Sequence, residues 1–286
     1  MFHRRPLPPD LAGAPKVTAV QADLGNPATF AQSLVGVDVV VHFAGVLFAP
    51  RPERFLPVTN TQWFSNLVNA SLAARVGRLI LISFPHVEGP TSPDRPATGR
   101  LDRTPISVHA QTRLEEERLL FGRAKGTGMT PVVLRLGMVY GRGILMVEAA
   151  RWLARRRLLA VWKEPTGIHL ISKTDYVRAT EAAIYQPGVE GIYHLGDDQP
   201  VTLQQFLDLA CEAWDCGPPT RLPVWMIMTA AWLCEVFAAI TGSASPLTRD
   251  FIRIGRVPYW GDTTRACKEL IPRLEYPNLS AGLETL

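Results

Sequence analysis

Residues 38–45 read Asp38-Val39-Val40-Val41-His42-Phe43-Ala44-Gly45. Three successive valines without polar alternation describe a strand covered on both faces, because a sheet with one wet face shows polar residues at every second position. Downstream, apolar residues recur at spacings of three and four (Trp63, Phe64, Leu67, Val68, Leu72), so a helix is expected over Thr59–Arg75, with Gly77 as its C-cap. Leu79–Ser83 is then a second buried strand. Upstream, Val17–Gln21 reads as a short strand, and residues 1–16, rich in Pro and Arg, as a loop.

The same rhythm continues toward the C-terminus. A loop rich in proline covers residues 84–107. Val108–Lys125 is a charged helix with Leu114, Leu119 and Leu120 available to face inward, and Val132–Arg135 is a strand. Residues 144–157 form a helix ending in Arg155, Arg156 and Arg157, a charge that suits a helix C-terminus. Asp175 opens a helix running to about Ile184. Thr202 and Gln205 form a capping box heading a helix to Trp214. Strands alternating with helices imply a parallel, doubly wound α/β sheet. The expected division is residues 1–16 as a loop, 17–215 as the sheet domain, and 216–286 as a small, mainly helical lobe to which 136–192 partly contribute.

The chain has 286 residues, 47% of them hydrophobic, enough for a large core. Its net charge of +4 is a solvated basic surface or an attraction to anionic ligands or membranes. No basic patch interleaved with aromatics points to nucleic acid. Cys211, Cys216, Cys234 and Cys267 show no zinc spacing and read as reduced, mostly buried thiols of a cytoplasmic protein. The longest apolar stretch, Leu222–Ile240, is interrupted by Glu235, which argues against a spanning helix. Its Trp225–Phe237 part either covers an apolar pocket or lies on a membrane surface.

Several motifs together resemble the extended short-chain dehydrogenase/reductases of the NAD(P)-dependent epimerase/dehydratase type. Ala22-Asp23-Leu24 after a strand is similar to that family's Asp-Leu pair, and Val41–Gly45 to its V-x-H-x-A-[AG] strand end. Asn60 matches an asparagine opening the next helix. Leu134–Gly141 is similar to L-R-P-x-x-V-Y-G, and Ile171–Val177 to V-H-V-D-D-V. Leu222–Trp225, Thr241-Gly242, Leu247–Asp250 and Tyr259-Trp260 with Asp262 resemble the 3β-hydroxysteroid dehydrogenase and dihydroflavonol-reductase-like branch. The resemblance implies a Rossmann-like sheet and NAD or NADP as cofactor, held by Asp23, Leu24, His42, Ala44, Gly45 and Asn60. Arg4 and Arg5 are candidates for a 2′-phosphate, or two exposed terminal arginines.

The resemblance also marks departures. The family's glycine-rich phosphate loop is not in the sequence; its strand, loop and helix would occupy about 30 residues before Met1. Either the natural chain starts upstream, or residues 17–21 shift into the vacant slot of an incomplete sheet. The position of the catalytic tyrosine reads His109, that of the lysine Arg113, and that of the Ser/Thr Phe84. Ser83 is adjacent but points to the other face of its strand. His109 can exchange a proton near neutrality, whereas Arg113 stays charged. Trp63 and Phe64 stand where the family has Gly-Thr. His86, Glu88, Asp94 and Asp102 are loop residues, solvated or an acid/base pair, and Tyr140 packs at a strand end.

The expected function is a catalytically degenerate member of this family, with weak or absent dinucleotide binding, that holds an apolar or sugar-like small molecule. The alternatives are an active oxidoreductase or epimerase using His109, and a structural subunit of a larger assembly. A homodimer through the helix carrying residues 109–113 is expected by analogy.

Overall fold

The computed structural model describes residues 14–45, 51–241, 243, 245 and 247–286. In chain order the strands and helices are β1 (Val39–His42), α1 (Trp63–Ala73), β2 (Arg78–Ser83), α2 (Val108–Ala124), β3 (Thr130–Leu136), β4 (Met138–Tyr140), α3 (Leu145–Arg155), β5 (Ala160–Trp162), β6 (Gly167–Ile168), β7 (Leu170–Ser172), α4 (Lys173–Tyr185), β8 (Gly191–Leu195), β9 (Val201–Thr202), α5 (Leu203–Ala213), β10 (Thr220–Leu222), α6 (Val224–Thr241), α7 (Arg249–Gly255), α8 (Thr264–Glu269) and α9 (Leu279–Gly282).

The central sheet is parallel, in the order β1-β2-β3-β8. Residue alternation divides its side chains between two cores. Leu79, Leu81 and Val133 face Phe64, Leu67, Val68 and Leu120 of α1 and α2. Ile80, Val132 and Leu134 face Ala179 and Ala183 of α4 and Ala266 of α8. Both faces are thus covered, as the unbroken valine run requires. The fold is Rossmann-like α/β, as the alternating elements predict.

A third core lies beyond the carboxyl ends of the strands. Tyr140, Val147, Val161, Leu170, Phe206, Trp214, Ile227 and Ile252 meet there, so the lobe draws on residues from both sides of position 215. Three two-stranded pairings frame it: β4-β7, β5-β10 and β6-β9. The chain enters the lobe through Gly137, where a Cβ would stand 2.5 Å from the His169 carbonyl oxygen. Only a glycine permits β3 to pass that close to the backbone preceding β7.

Several expectations need correction. Val17–Gln21 forms no strand among the described residues, apart from a bridge position at Gln21, and Val17 is exposed. The helix expected from Thr59 begins as wide π-type turns over Pro57–Gln62, and α1 proper starts at Trp63. It ends not at Gly77 but through Arg75, which takes the left-handed conformation with φ 59°. Of the cysteines only Cys211 is fully buried, and all four are free. The strand Gly191–Leu195 was not anticipated: its Tyr-His pair interrupts the apolar signal.

Arg135 sits in the middle of this architecture with no solvent exposure. Its Nη2 donates to Glu117 Oε2 at 2.6 Å, its Nη1 pairs with Glu88, and Nη2 also reaches the Arg100 carbonyl at 3.0 Å. Removing one partner of such a network leaves a buried charge without compensation. Arg135→Gln should therefore lower unfolding stability by about 3–5 kcal/mol, read as a lower urea midpoint. Asp102→Asn, at a fully exposed pair, should leave that midpoint unchanged.

Candidate functional site

Helix α2 delivers the candidate residues to the carboxyl ends of β1 and β2. Ser107 caps it, accepting from the Ala110 N–H at 3.1 Å. The helix buries more than its leucines: His109, Thr112, Arg113, Glu116 and Glu117 also face inward, while Leu119 is only half-buried. Phe84 follows β2, and its ring meets His109 edge-on at 4.7 Å. His86 lies 4.9 Å from Phe84 and 5.7 Å from Tyr259, centroid to centroid. The His86 Nε2 bonds to the Val257 carbonyl at 3.0 Å, and its Nδ1 has no partner. Ser83 lies on the face of β2 that α2 covers, and its hydroxyl donates to Glu117 of that helix.

Arg113 crosses the gap to the end of β1. Its Nη1 pairs with Glu116 at 2.8 Å, and its Nη2 donates to the Ala44 carbonyl at 3.3 Å. A Cβ placed on Gly45 would stand 1.9 Å from Nη2, so the guanidinium fills the space against this backbone. Asn60 donates to Thr112 Oγ1 at 3.1 Å, joining the π-type turns to α2. The His42 ring packs on Phe64 at 4.9 Å. The structure thus brings together Phe84, His109, Arg113, Ala44, Gly45 and Asn60. Asp23 and Leu24 belong to a local turn: Asp23 Oδ1 accepts from the Gly25 N–H at 2.8 Å, and the Leu24 carbonyl from Asn66 at 2.9 Å. Arg4 and Arg5 lie outside the described residues.

Burial governs the protonation of this cluster. His109 is held down to about 3, by burial first, then by the charge of Arg113 and by His86. His42 falls to about 3 for the first two reasons. Burial pushes Glu116 up to about 7 against the opposing pull of Arg113, and one of its oxygens has no hydrogen-bond partner. His109 is therefore a neutral imidazole at neutral pH. It can accept or donate a hydrogen bond, but it is a weak base there.

The Glu88–Arg135–Glu117 network behind the site was missed in the sequence. Glu88 is no solvated loop residue: it accepts from the N–H groups of Gly99 at 2.7 Å and Arg100 at 3.0 Å. Arg135 in an apolar strand was the available signal, since a buried arginine requires carboxylates nearby. Asp102, by contrast, is exposed and pairs with Arg100.

An apolar groove of about 1060 Å³ adjoins the cluster. It runs from Ser107 and Val108, next to His109, past Phe55 and Val257, to Trp232 and Val236 of α6. Its charged lining is mixed, with Arg51, Arg54, Arg249 and Arg253 beside Glu53, Glu235 and Asp250.

Residues 2–135 match a family model described as NAD(P)H-binding. The chain is 25% identical over 262 residues to a 2-alkyl-3-oxoalkanoate reductase of Shewanella oneidensis, covering 82% of this chain and 66% of that protein. It is 27% identical over 218 residues to a 4-hydroxy-2-methyl-3-oxo-4-farnesyl-3,4-dihydroquinoline-1-oxide ketoreductase of Stigmatella aurantiaca, covering 70% of this chain and 62% of that protein. The chain thus spans slightly less than two thirds of these curated relatives. Its fold is shared with DesIV, a dTDP-glucose 4,6-dehydratase from Streptomyces venezuelae solved with NAD and TYD, at a TM-score of 0.74 and 17% identity over 95% of this chain and 79% of that one.

The protonation pattern predicts how stability varies with pH. His42, His86, His109, His169 and His194 are all lowered to about 3 or 4, with burial as the leading cause. Below about pH 6.5 the unfolded chain protonates these residues and the folded chain does not, so stability falls as pH drops toward 4. Glu116, at about 7, and Asp197, raised to about 8 by burial, act in the opposite sense. Folded, they keep protons that the unfolded chain loses above about pH 4, so their contribution is lost as pH rises through 7 to 8. The histidines outnumber the acids, and stability should peak near pH 6.5. The limbs should slope by on the order of 1.4 kcal/mol per pH unit for each net proton. Urea midpoints measured from pH 4.5 to 8.5, each tested value being approximately spaced by half a unit, check the peak; a midpoint that climbs steadily to the highest pH contradicts it.

Proposed function

We propose that this protein is a catalytically degenerate relative of the NAD(P)-dependent epimerase/dehydratase enzymes that binds an apolar, ketone-bearing small molecule in the groove beside His109. The observation that carries this reading is the Phe84–His109–Arg113 arrangement. Reduction or epimerisation of the family's kind needs a polar group that shuttles a proton and a cation that tunes it. Here the Ser/Thr position is a phenyl ring against His109. The lysine position is a guanidinium engaged by Glu116 and the Ala44 carbonyl.

The same guanidinium bears on the cofactor. It occupies the space over Gly45, which by resemblance would line the dinucleotide. As the residues stand, they do not fit NAD(P), and weak or absent binding follows as part of the proposal. The substrate class rests on the groove's lining and on the relatives, both named for ketone substrates with alkyl or farnesyl substituents.

A second reading, an active oxidoreductase with His109 as the proton donor, is favoured by the match of residues 2–135 to the NAD(P)H-binding model. Calorimetric titration of the full natural chain with NADH, NADPH and a 2-alkyl-3-oxoalkanoate separates the two. The degenerate reading expects heat on adding the keto acid, none with either dinucleotide, and no loss of NADH absorbance when all are mixed. NADH oxidation that His109→Ala slows by about 100-fold or more would establish the second reading instead.

A further inference from the structure

Helix α6 is held to the lobe by one narrow side. Ile227, Ala231 and Ala238 are its buried residues, and Glu235 beside them pairs with Arg249 of α7 at 2.8 Å. About a third of a turn away round the helix, Met226, Ala230, Leu233, Phe237 and Ile240 follow one another at alternating steps of four and three residues. All are exposed, Phe237 by 64% and Ile240 by 79%. The flank next to them repeats the spacing with Trp225, Thr229, Trp232, Val236 and Ala239, which are exposed as well. Thr229 is the one polar residue in the two rows, and its hydroxyl is turned back to the Trp225 carbonyl at 2.9 Å. A contiguous exposed patch of this kind marks an interaction surface.

Spacing, area and charge together indicate what covers it. Alternating steps of four and three are those of a seam that packs against another helix. The exposed apolar side chains of α6 present on the order of 700 Å², close to the roughly 800 Å² per partner that a standard protein interface buries. The face itself carries no charge. The charged residues that adjoin it, in the lining of the groove, are of both signs: Arg51, Arg54, Arg249 and Arg253 with Glu53, Glu235 and Asp250. Among the described residues, only Arg249 and Glu235 of this set form an ion pair within the chain. A surface of one sign, such as anionic lipid, would meet like charge along part of this rim. A second copy carries the same mixture, and a two-fold axis brings the same patch of both copies together, so that each sign has an opposite to face. The length and hydropathy of α6 would allow a membrane span, but spanning would strip Ile227 and Ala231 from the lobe core and carry Glu235 away from Arg249.

We propose that α6 is the interface of a homodimer, in which the row Met226, Ala230, Leu233, Phe237 and Ile240 packs on the same row of a second copy. Leu233 stands at its middle, and Phe237, its one aromatic ring, is the anchor, as large rings at the centre of an interface are. The copies then meet through their lobes and not through α2. Ile240 belongs both to this row and to the wall of the apolar groove, so the second copy borders the groove from which a ligand would reach His109. The dimer does not depend on whether that site is catalytic.

The test is sedimentation equilibrium of the full chain from about 0.1 to 100 µM, a range that reaches the weakest association expected of an interface of this size. A monomer–dimer equilibrium with micromolar or tighter dissociation is expected. Phe237→Ala should weaken it by about 30-fold, and Leu233→Glu with Phe237→Glu by about 100-fold or more. All these positions are exposed, and circular dichroism matching that of the parent chain confirms that the variants fold. A chain that stays monomeric throughout overturns the proposal. So does a dimer that the Leu233/Phe237 pair leaves unchanged, which is the result a dimer through α2 would give. Flotation of a monomeric chain with phospholipid vesicles, lost in the same pair, also overturns it, because the face is then a lipid contact.

Discussion

Burying the charge of Arg135 constrains the rest of the structure. An arginine with no solvent exposure in the third strand of the sheet is tolerable only with carboxylates on more than one side. Glu117 supplies one from α2 and Glu88 another from the turn after β2. Meeting that requirement fixes the rotation of α2 about its axis and pins the start of the long loop. Thr98, Gly99 and Arg100 then donate their N–H groups to Glu88, which draws the loop over the sheet end. Tyr259 closes the far side through His194, its hydroxyl 2.7 Å from Nδ1.

The geometry of the candidate site follows from that rotation. With Glu117 turned toward Arg135, the residues one and two turns earlier on α2, Arg113 and His109, must face the ends of β1 and β2. There Arg113 meets Ala44 and Gly45, and His109 meets Phe84. Burial then sets the chemistry: a cation beside His109 and His42, both out of water, keeps both imidazoles neutral. The tyrosine–lysine arrangement of the enzymes that this chain resembles needs a donor whose proton is labile near neutrality. The arrangement here supplies a neutral ring and a guanidinium that is already engaged.

The lobe is organised on a different principle. Its core is apolar, assembled from residues on both sides of position 215, and it presents α6 with most of its circumference uncovered. A groove shares part of that helix and reaches the end of α2. The groove reaches Ser107, Val108 and Val257, the last of which bonds through its carbonyl to His86 Nε2.

The sequence by itself determined the layered architecture. The valine run at 39–41, the Leu79–Ser83 strand, the three- and four-residue spacing of α1 and the capping box at Thr202 are local patterns, and local patterns survive without knowledge of partners. It also singled out His109, Arg113 and Phe84 as candidates by their spacing within one resemblance. Only the tertiary structure decided what surrounds them. That Arg113 reaches Ala44, that Glu88 is buried with Arg135, and that Val17–Gln21 forms no strand among the described residues all depend on contacts between residues distant in sequence. Charged residues in a helix read as solvated because nothing in their own neighbourhood announces the buried arginine they serve. The exposure of α6 was equally hidden: an apolar helix has the same sequence whether a core, a pocket or a lipid surface covers it, and only the packing of its neighbours tells these apart.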